Sequence, residues 1–250
     1  MVARILYRLC TSLLPLLGLS FVFSVPNRLG WPVVMEQYLG VMLGLATCAV
    51  LVRHPLGAKA RWYDVVLALL ALGAWCIMSW NYDAWIIDPV NRTIDRWGAA
   101  VVAIGFLLRA TWTRCGASIA ILFALFICYG LFGHLIPGPL QAFEQPPKKL
   151  AIYLFADSNG IPGSVLRVIC TVVLVFVIFG QLLESSGATK VLTDLAMSLL
   201  GGRRGGPAKV AILASAGFGS INGTTVGNII STGVVTIPLM KRNGFKPEQA

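Results

Sequence analysis

Negative charge is what this sequence has least of. Ten aspartates and glutamates and two histidines are spread over 250 residues, against 20 lysines and arginines. General acid–base chemistry needs a positioned acid or base within reach of its partner, and no His–acid or acid–acid pairing stands out inside the apolar segments. A membrane-embedded enzyme is therefore not the expected class. His54 and His134 stand alone near the ends of apolar runs, so they offer no ligand pair. Cys10, Cys48, Cys76, Cys115, Cys128 and Cys170 form no CxxC pair and lie in or at the edges of apolar runs. They read as small core hydrophobes rather than as a disulfide or metal framework. The GGRRGG run at 201–206 lacks the GxxxxGK[ST] spacing of a phosphate loop, so ATP hydrolysis is not expected.

Apolar side chains fill the space. Hydrophobic residues make up 57% and charged residues 12% of the chain, and the mean hydropathy is +0.79. A soluble domain carries roughly 25% charged residues, so this composition fits a bilayer better than water. A net charge of +10 could point to nucleic acid. Here the cations sit between apolar runs, which assigns them to membrane topology and leaves no nucleic-acid partner to expect.

Six candidate spans follow, at about 6–25, 32–52, 64–81, 97–113, 116–136 and 163–184, each near the ~20 residues that a helix needs to cross. Basic residues gather on the cytoplasmic side. Arg4 and Arg8 place the N-terminus inside, and Arg53, Lys59 and Arg61 place the loop after the second span there too. The loop holding Asp83, Asp88 and Asp95 fits outside; Arg109 and Arg114 bring the chain back in. Residues 137–162, rich in proline and glycine, read as an outer loop, with Lys148 and Lys149 against the charge rule. Trp31, Trp62, Trp80, Trp85, Trp97 and Trp112 fall near span ends, where amphipathic rings prefer to sit, and Trp75 lies deeper. Between Glu184 and Gly201 the segment is too short to cross. Its apolar positions Val191, Leu192, Leu195, Leu199 and Leu200 approximate helical spacing, as in an interfacial helix or a helix packed on the bundle ends. Glu36, inside the second span, is either functional or snorkels to the interface beside Trp31.

The most informative stretch is ASAGFGSINGTTVGN, residues 214–228, at the middle of an uncharged segment running from Val210 to Met240. As one straight helix that segment would be about 46 Å long, well beyond the hydrocarbon core. It would also put Lys209 on one side and Lys241 with Arg242 on the other. A fold at 219–223 returns all three to one side. Broken backbone at membrane depth is tolerated only where it is buried in protein or lines a polar cavity, and such breaks build ion and substrate sites in secondary transporters. The same residues allow a second reading. Gly219, Gly223 and Gly227 form a GxxxG series, which packs continuous helices closely.

The run GGRRGGPAKVAILASAGFGSINGTTVGNIISTGVVTIPLMKRNGF, residues 201–245, resembles the large membrane subunit of the tripartite ATP-independent periplasmic (TRAP) transporters, most closely the fused type that works with TAXI-class binding proteins. The shared features are GGPAK, Ser215, Gly219, Ser220, Ile221, Gly223, Asn228, Thr232, Gly233 and TIPLMKR. Asn222 and Thr224 replace the usual serines, Thr225 and Gly227 the usual alanines, and Phe245 a tyrosine. Weaker echoes run upstream at 95–116, 129–139 and 159–168.

The resemblance implies an all-α integral membrane protein with about six transmembrane helices, an interfacial helix and a re-entrant helical hairpin. It divides the chain into a small-subunit-like domain with a connecting fifth span (1–140), a periplasmic linker (141–162) and the start of a large-subunit-like transport domain (163–250). The chain is then expected to be the N-terminal portion of a longer permease. It would lie in the cell inner membrane with several passes and a cytoplasmic N-terminus. The implied activity is Na⁺-driven, binding-protein-dependent import of small carboxylated solutes; the alternative is a truncated structural or assembly module without transport of its own. Implied partners are a periplasmic TAXI-type solute-binding protein, the remainder of the large permease domain and the lipid bilayer, with self-assembly left open. No cofactor is implied beyond Na⁺ as coupling ion. Its candidate ligands are Ser220, Asn222, Gly223, Thr224 and Asn228 at the hairpin tip, with Ser220 alternatively capping the second arm.

Overall fold

A computed structural model describes residues 2–55, 62–88, 93–202, 205–220 and 225–248, and among these all regular structure is helical. The chain forms two compact units, Met1–Thr171 and Val172–Ala250.

The first unit contains α1 (Val2–Val22), a short α2 (Val25–Arg28), α3 (Met35–Arg53), α4 (Trp62–Ile87), α5 (Ile94–Cys115), α6 (Ala117–Phe132), α7 (Pro147–Ala156) and α8 (Ser164–Val168). Among the described residues, five stretches are long and apolar enough to cross a membrane: Val2–Val22, Met35–Arg53, Trp62–Ile87, Ala117–Leu135 and Ser164–Ser185. These match five of the six expected spans. The remaining one, α5, has 22 residues but carries Asp95, Arg96, Arg109 and Arg114, which lower its hydropathy below that of the other five. The chain is an all-α, multi-pass integral membrane protein.

Helix α3 is the hub of this unit and is buried along most of its length, whereas few residues of α1 and α6 are fully buried. On α1 the exposed set Ile5, Leu9, Leu13 and Leu16 forms one stripe, the surface that lipid covers in a spanning helix. Close packing of α3 on α4 rests on Gly40 and Gly44. A Cβ on Gly44 would lie 3.0 Å from Leu72 Cδ1 and Trp75 Cβ, and one on Gly40 would run into the Ser79 hydroxyl. Ser79 uses that proximity to donate to the Gln37 carbonyl at 2.8 Å, a bond between helices of the kind that small residues permit in membranes.

Residues 147–156, within the segment expected to be loop, form helix α7 instead. Pro146 and Pro147 suit its start, since proline has no amide to leave unbonded in a first turn. Its Phe155 is fully buried against Trp75 and Trp85, with ring centroids 5.0 and 6.2 Å away. Trp85 is therefore a core residue, while Trp31, Trp62, Trp80 and Trp112 are exposed, as rings at a membrane interface would be.

Glu36 does not snorkel. It is 7% exposed, and its Oε1 accepts from Arg167 Nη2 at 3.3 Å. One turn away in the same contact, the Tyr38 hydroxyl donates to the Cys170 carbonyl at 2.7 Å. Cys170 lies in a π-helical turn, Ile169–Val173. A π turn shifts the backbone register and loosens the regular carbonyl bonding, which explains why a side-chain donor finds that oxygen. Of the six cysteines, Cys10, Cys48 and Cys170 are buried, and Cys76, Cys115 and Cys128 are exposed on apolar helices.

The second unit holds α9 (Leu174–Ser185), α10 (Ala188–Leu200), α11 (Gly206–Gly219) and α12 (Thr225–Arg242). At 13 residues, α10 is about 20 Å long and too short to cross. Its Thr193 and Ala196 are buried, and Ala196 packs with Val210 and Ala214 of α11, flanked by Leu200 and Leu239. The apolar positions noted in its sequence thus divide between two faces. Leu192 and Leu200 turn toward the helix pair, and Val191, Leu195 and Leu199 are exposed.

Candidate functional site

The uncharged segment 210–240 is two helices. α11 stops at Gly219, with Ser220 as its C-cap residue, and α12 begins at Thr225. The two run antiparallel: Gly219 and Ser215 meet Asn228 near one end, and Val210 shares a cluster with Leu239 near the other. α11 has 14 residues and α12 has 18, so the arms measure about 21 and 27 Å.

Between the arms lies a groove of about 680 Å³ lined by Ser215, Gly219, Asn228, Thr232 and Thr236 among small and branched apolar residues. Helical spacing builds it. Asn228, Thr232 and Thr236 recur every four residues on α12, and Ser215 and Gly219 do so on α11, so each set lies on one face. Gly219 is needed for the close approach. A Cβ there would lie 2.9 Å from Asn228 Nδ2, inside ordinary contact distance.

The polar groups of the groove are oriented by hydrogen bonds. Asn228 Nδ2 donates to the Ser215 carbonyl and to Ser215 Oγ, both at 3.2 Å. Thr232 Oγ1 donates to the Asn228 carbonyl at 2.6 Å, and Thr236 Oγ1 to the Thr232 carbonyl at 2.9 Å. With its proton directed at the backbone, each threonine oxygen retains lone pairs as an acceptor. Asn228 Oδ1 is buried and has no hydrogen-bond partner among the described residues. A buried acceptor left unsatisfied costs about 1–3 kcal/mol, so an electropositive occupant at this oxygen would be stabilising. The donor set is oxygen only and uncharged, which suits a hard monovalent cation better than a transition metal.

Of the sequence-derived candidates, Asn228 faces the groove. Ser220 is exposed and donates to the Gly217 carbonyl at 2.7 Å, one turn back in its own helix. Asn222, Gly223 and Thr224 lie outside the described residues. Ser215, Thr232 and Thr236 were not among the candidates. The period-four recurrence of Asn228, Thr232 and Thr236 on α12 was the signal that could have added the two threonines; Ser215 stands alone on α11 and has no such signal.

The family model described as "Tripartite ATP-independent periplasmic transporter, DctM component" matches residues 102–250. The chain belongs to this family. The match takes in both arms of the groove and the helices from most of α5 onward. Among curated relatives, the chain is similar to a Haemophilus influenzae protein named "Putative TRAP transporter large permease protein", 33% identical over 70 residues, or 28% of this chain and 16% of that protein. It is also 33% identical over 72 residues to the uncharacterized protein YgiK of Salmonella typhimurium, covering 29% of this chain and 17% of that one. To the 2,3-diketo-L-gulonate TRAP transporter large permease protein YiaN of Escherichia coli it is 28% identical over 75 residues, covering 30% of this chain and 18% of that protein. The aligned stretch is thus under a fifth of each relative's own length. No solved structure matches the chain.

Proposed function

We propose that this TRAP permease chain works in Na⁺-driven import of small carboxylated solutes across the cell inner membrane, as part of a fused small/large permease served by a periplasmic TAXI-type binding protein. The observation that carries the ion assignment is Asn228 Oδ1, a buried acceptor with no hydrogen-bond partner among the described residues, in a groove whose other polar side chains are neutral hydroxyls. A Na⁺ ion there would draw on Asn228 Oδ1, Ser215 Oγ and Thr232 Oγ1, with further oxygens from the hairpin tip residues Asn222, Gly223 and Thr224. Neutral ligands fit a coupling ion that must also leave, since a carboxylate would hold it more tightly.

In this reading residues 1–140 form the small-subunit-like domain, 141–162 the periplasmic linker and 163–250 the start of the transport domain. Arg4, Arg8 and Arg53 put the N-terminal end of α1 and the C-terminal end of α3 on the cytoplasmic side. The α11–α12 pair is then a re-entrant hairpin entering from the cytoplasm, because Lys209 at one end and Lys241 with Arg242 at the other share that side. The arm lengths of about 21 and 27 Å support an element that reaches the bilayer interior and returns.

The test is solute uptake by the complete permease in proteoliposomes with its binding protein outside. Uptake that requires both an inward Na⁺ gradient and the binding protein supports the proposal. Uptake driven equally by a proton gradient without Na⁺, or independent of the binding protein, contradicts it. No uptake under any gradient favours the assembly-module reading.

A further inference from the structure

We propose that the cleft where α1, α3 and α5 meet, at the end of the first unit that holds the N-terminus, binds the headgroup of an anionic phospholipid. The cleft encloses about 360 Å³ and is lined by Tyr7, Thr11 and Leu14 of α1, by Ala46, Ala49, Val50 and Arg53 of α3, and by His54 and Arg114.

The lining has a polarity gradient. On α1, Tyr7, Thr11 and Leu14 follow helical spacing, and on α3, Ala46, Ala49, Val50 and Arg53 do the same. Both faces are polar or cationic at the end of the helix and apolar deeper in. A phospholipid has that polarity profile: a phosphate diester at the interface and acyl chain below. Inorganic phosphate would use the rim and leave the apolar wall without a role.

The cations are aimed rather than scattered. Arg53 lies over the Tyr7 ring at 5.4 Å from its centroid. Arg114 Nη1 is 3.3 Å from His54 Nε2. A guanidinium only donates, so that ring nitrogen is the acceptor and the imidazole acts as a positioning residue for Arg114. Arg53 and Arg114 line the cleft from two helices, and a guanidinium fork matches the spacing of phosphate oxygens. None of the lining residues is acidic. Asp64, in the first turn of α4, is buried and has a partner of its own. Without an acid to receive choline, the cleft favours an anionic headgroup over a zwitterionic one. Basic pockets between spanning helices bind anionic lipid headgroups on this principle.

The experiment is native mass spectrometry of the full chain in detergent, mixed with phosphatidylglycerol or with phosphatidylcholine of the same acyl chains. The wild-type chain should retain phosphatidylglycerol preferentially. The pair Arg53→Gln/Arg114→Gln should lower that retention roughly twenty-five-fold, about five-fold for each arginine. Arg53→Lys/Arg114→Lys should restore most of it, which separates lost charge from lost folding. Arg28→Gln/Lys148→Gln, at the other end of the unit, should leave it unchanged. Equal retention of the two lipids by the wild type overturns the proposal, as does an equal loss in the Arg28/Lys148 pair. Displacement of the lipid by millimolar inorganic phosphate overturns the lipid assignment in favour of a free anion.

Discussion

Asn228 Nδ2 is held 3.2 Å from both the carbonyl and the hydroxyl of Ser215, while Asn228 Oδ1 is buried with no hydrogen-bond partner among the described residues. The two arms of the hairpin are thereby joined through a residue whose nitrogen is satisfied and whose oxygen is not. In the proposed Na⁺ reading, this amide is anchored through its nitrogen and offers its oxygen to the ion.

Gly219 tests how closely that geometry matters. The new Cβ of Gly219→Ala would sit 2.9 Å from Asn228 Nδ2, so the amide must move by a few tenths of an ångström or more. Na⁺ concentration for half-maximal uptake by the complete permease should rise several-fold. The cost in stability should stay near 1–2 kcal/mol, within the range for modest overpacking. Paired measurement of Na⁺-dependent uptake and thermal unfolding distinguishes this from general collapse, in which the unfolding temperature would fall with no specific change in Na⁺ dependence.

The Glu36–Arg167 pair predicts an asymmetric response. Arg167 keeps 47% of its side chain exposed while Glu36 keeps 10%. Removing the arginine strands a buried carboxylate; removing the charge of Glu36 leaves a cation that can reach water. Arg167→Met should therefore destabilise the chain by about 1–3 kcal/mol, more than Glu36→Gln does. The double variant should recover part of that loss. Thermal unfolding of the four proteins in one detergent checks this, and equal losses for the two single variants would contradict it.

The hairpin reading predicts sidedness. Cysteines introduced at Lys209, Lys241 and Arg4 should all react with a membrane-impermeant maleimide from the cytoplasmic side. Labelling of Lys241→Cys from the opposite side to Lys209→Cys would mean that the segment crosses, and the re-entrant assignment would fall.

Much of this architecture was legible from residue order. Apolar runs located five spans because hydropathy over about 20 residues is a long, averaged signal. The break between α11 and α12 followed from glycine and asparagine at the centre of a segment too long to cross straight. Short-range signals misled where tertiary contacts decide. Proline and glycine around 137–162 suggested loop, yet burial of Phe155 between Trp75 and Trp85 stabilises α7. Of the GxxxG series, Gly219 does admit a close approach, to Asn228, while the sequence reading did not note Gly40 and Gly44, which pack α3 on α4. Spacing identifies such a motif but not the surface it meets. Ser215, Thr232 and Thr236 were missed as site residues because a hydroxyl inside a helix has an everyday role, bonding the carbonyl one turn back. Only the facing arm reveals which hydroxyls share a groove.

The most direct measurement of the central claim is the Na⁺ dependence of uptake by the complete permease carrying Asn228→Ala. This substitution removes the unsatisfied oxygen together with the amide that orients it. The account predicts that the half-maximal Na⁺ concentration rises by about ten-fold, as for loss of one ligand worth about 1.4 kcal/mol, with protein still inserted in the membrane at wild-type amounts. Wild-type Na⁺ dependence together with failure of the protein to assemble would contradict it and leave Asn228 as a packing residue.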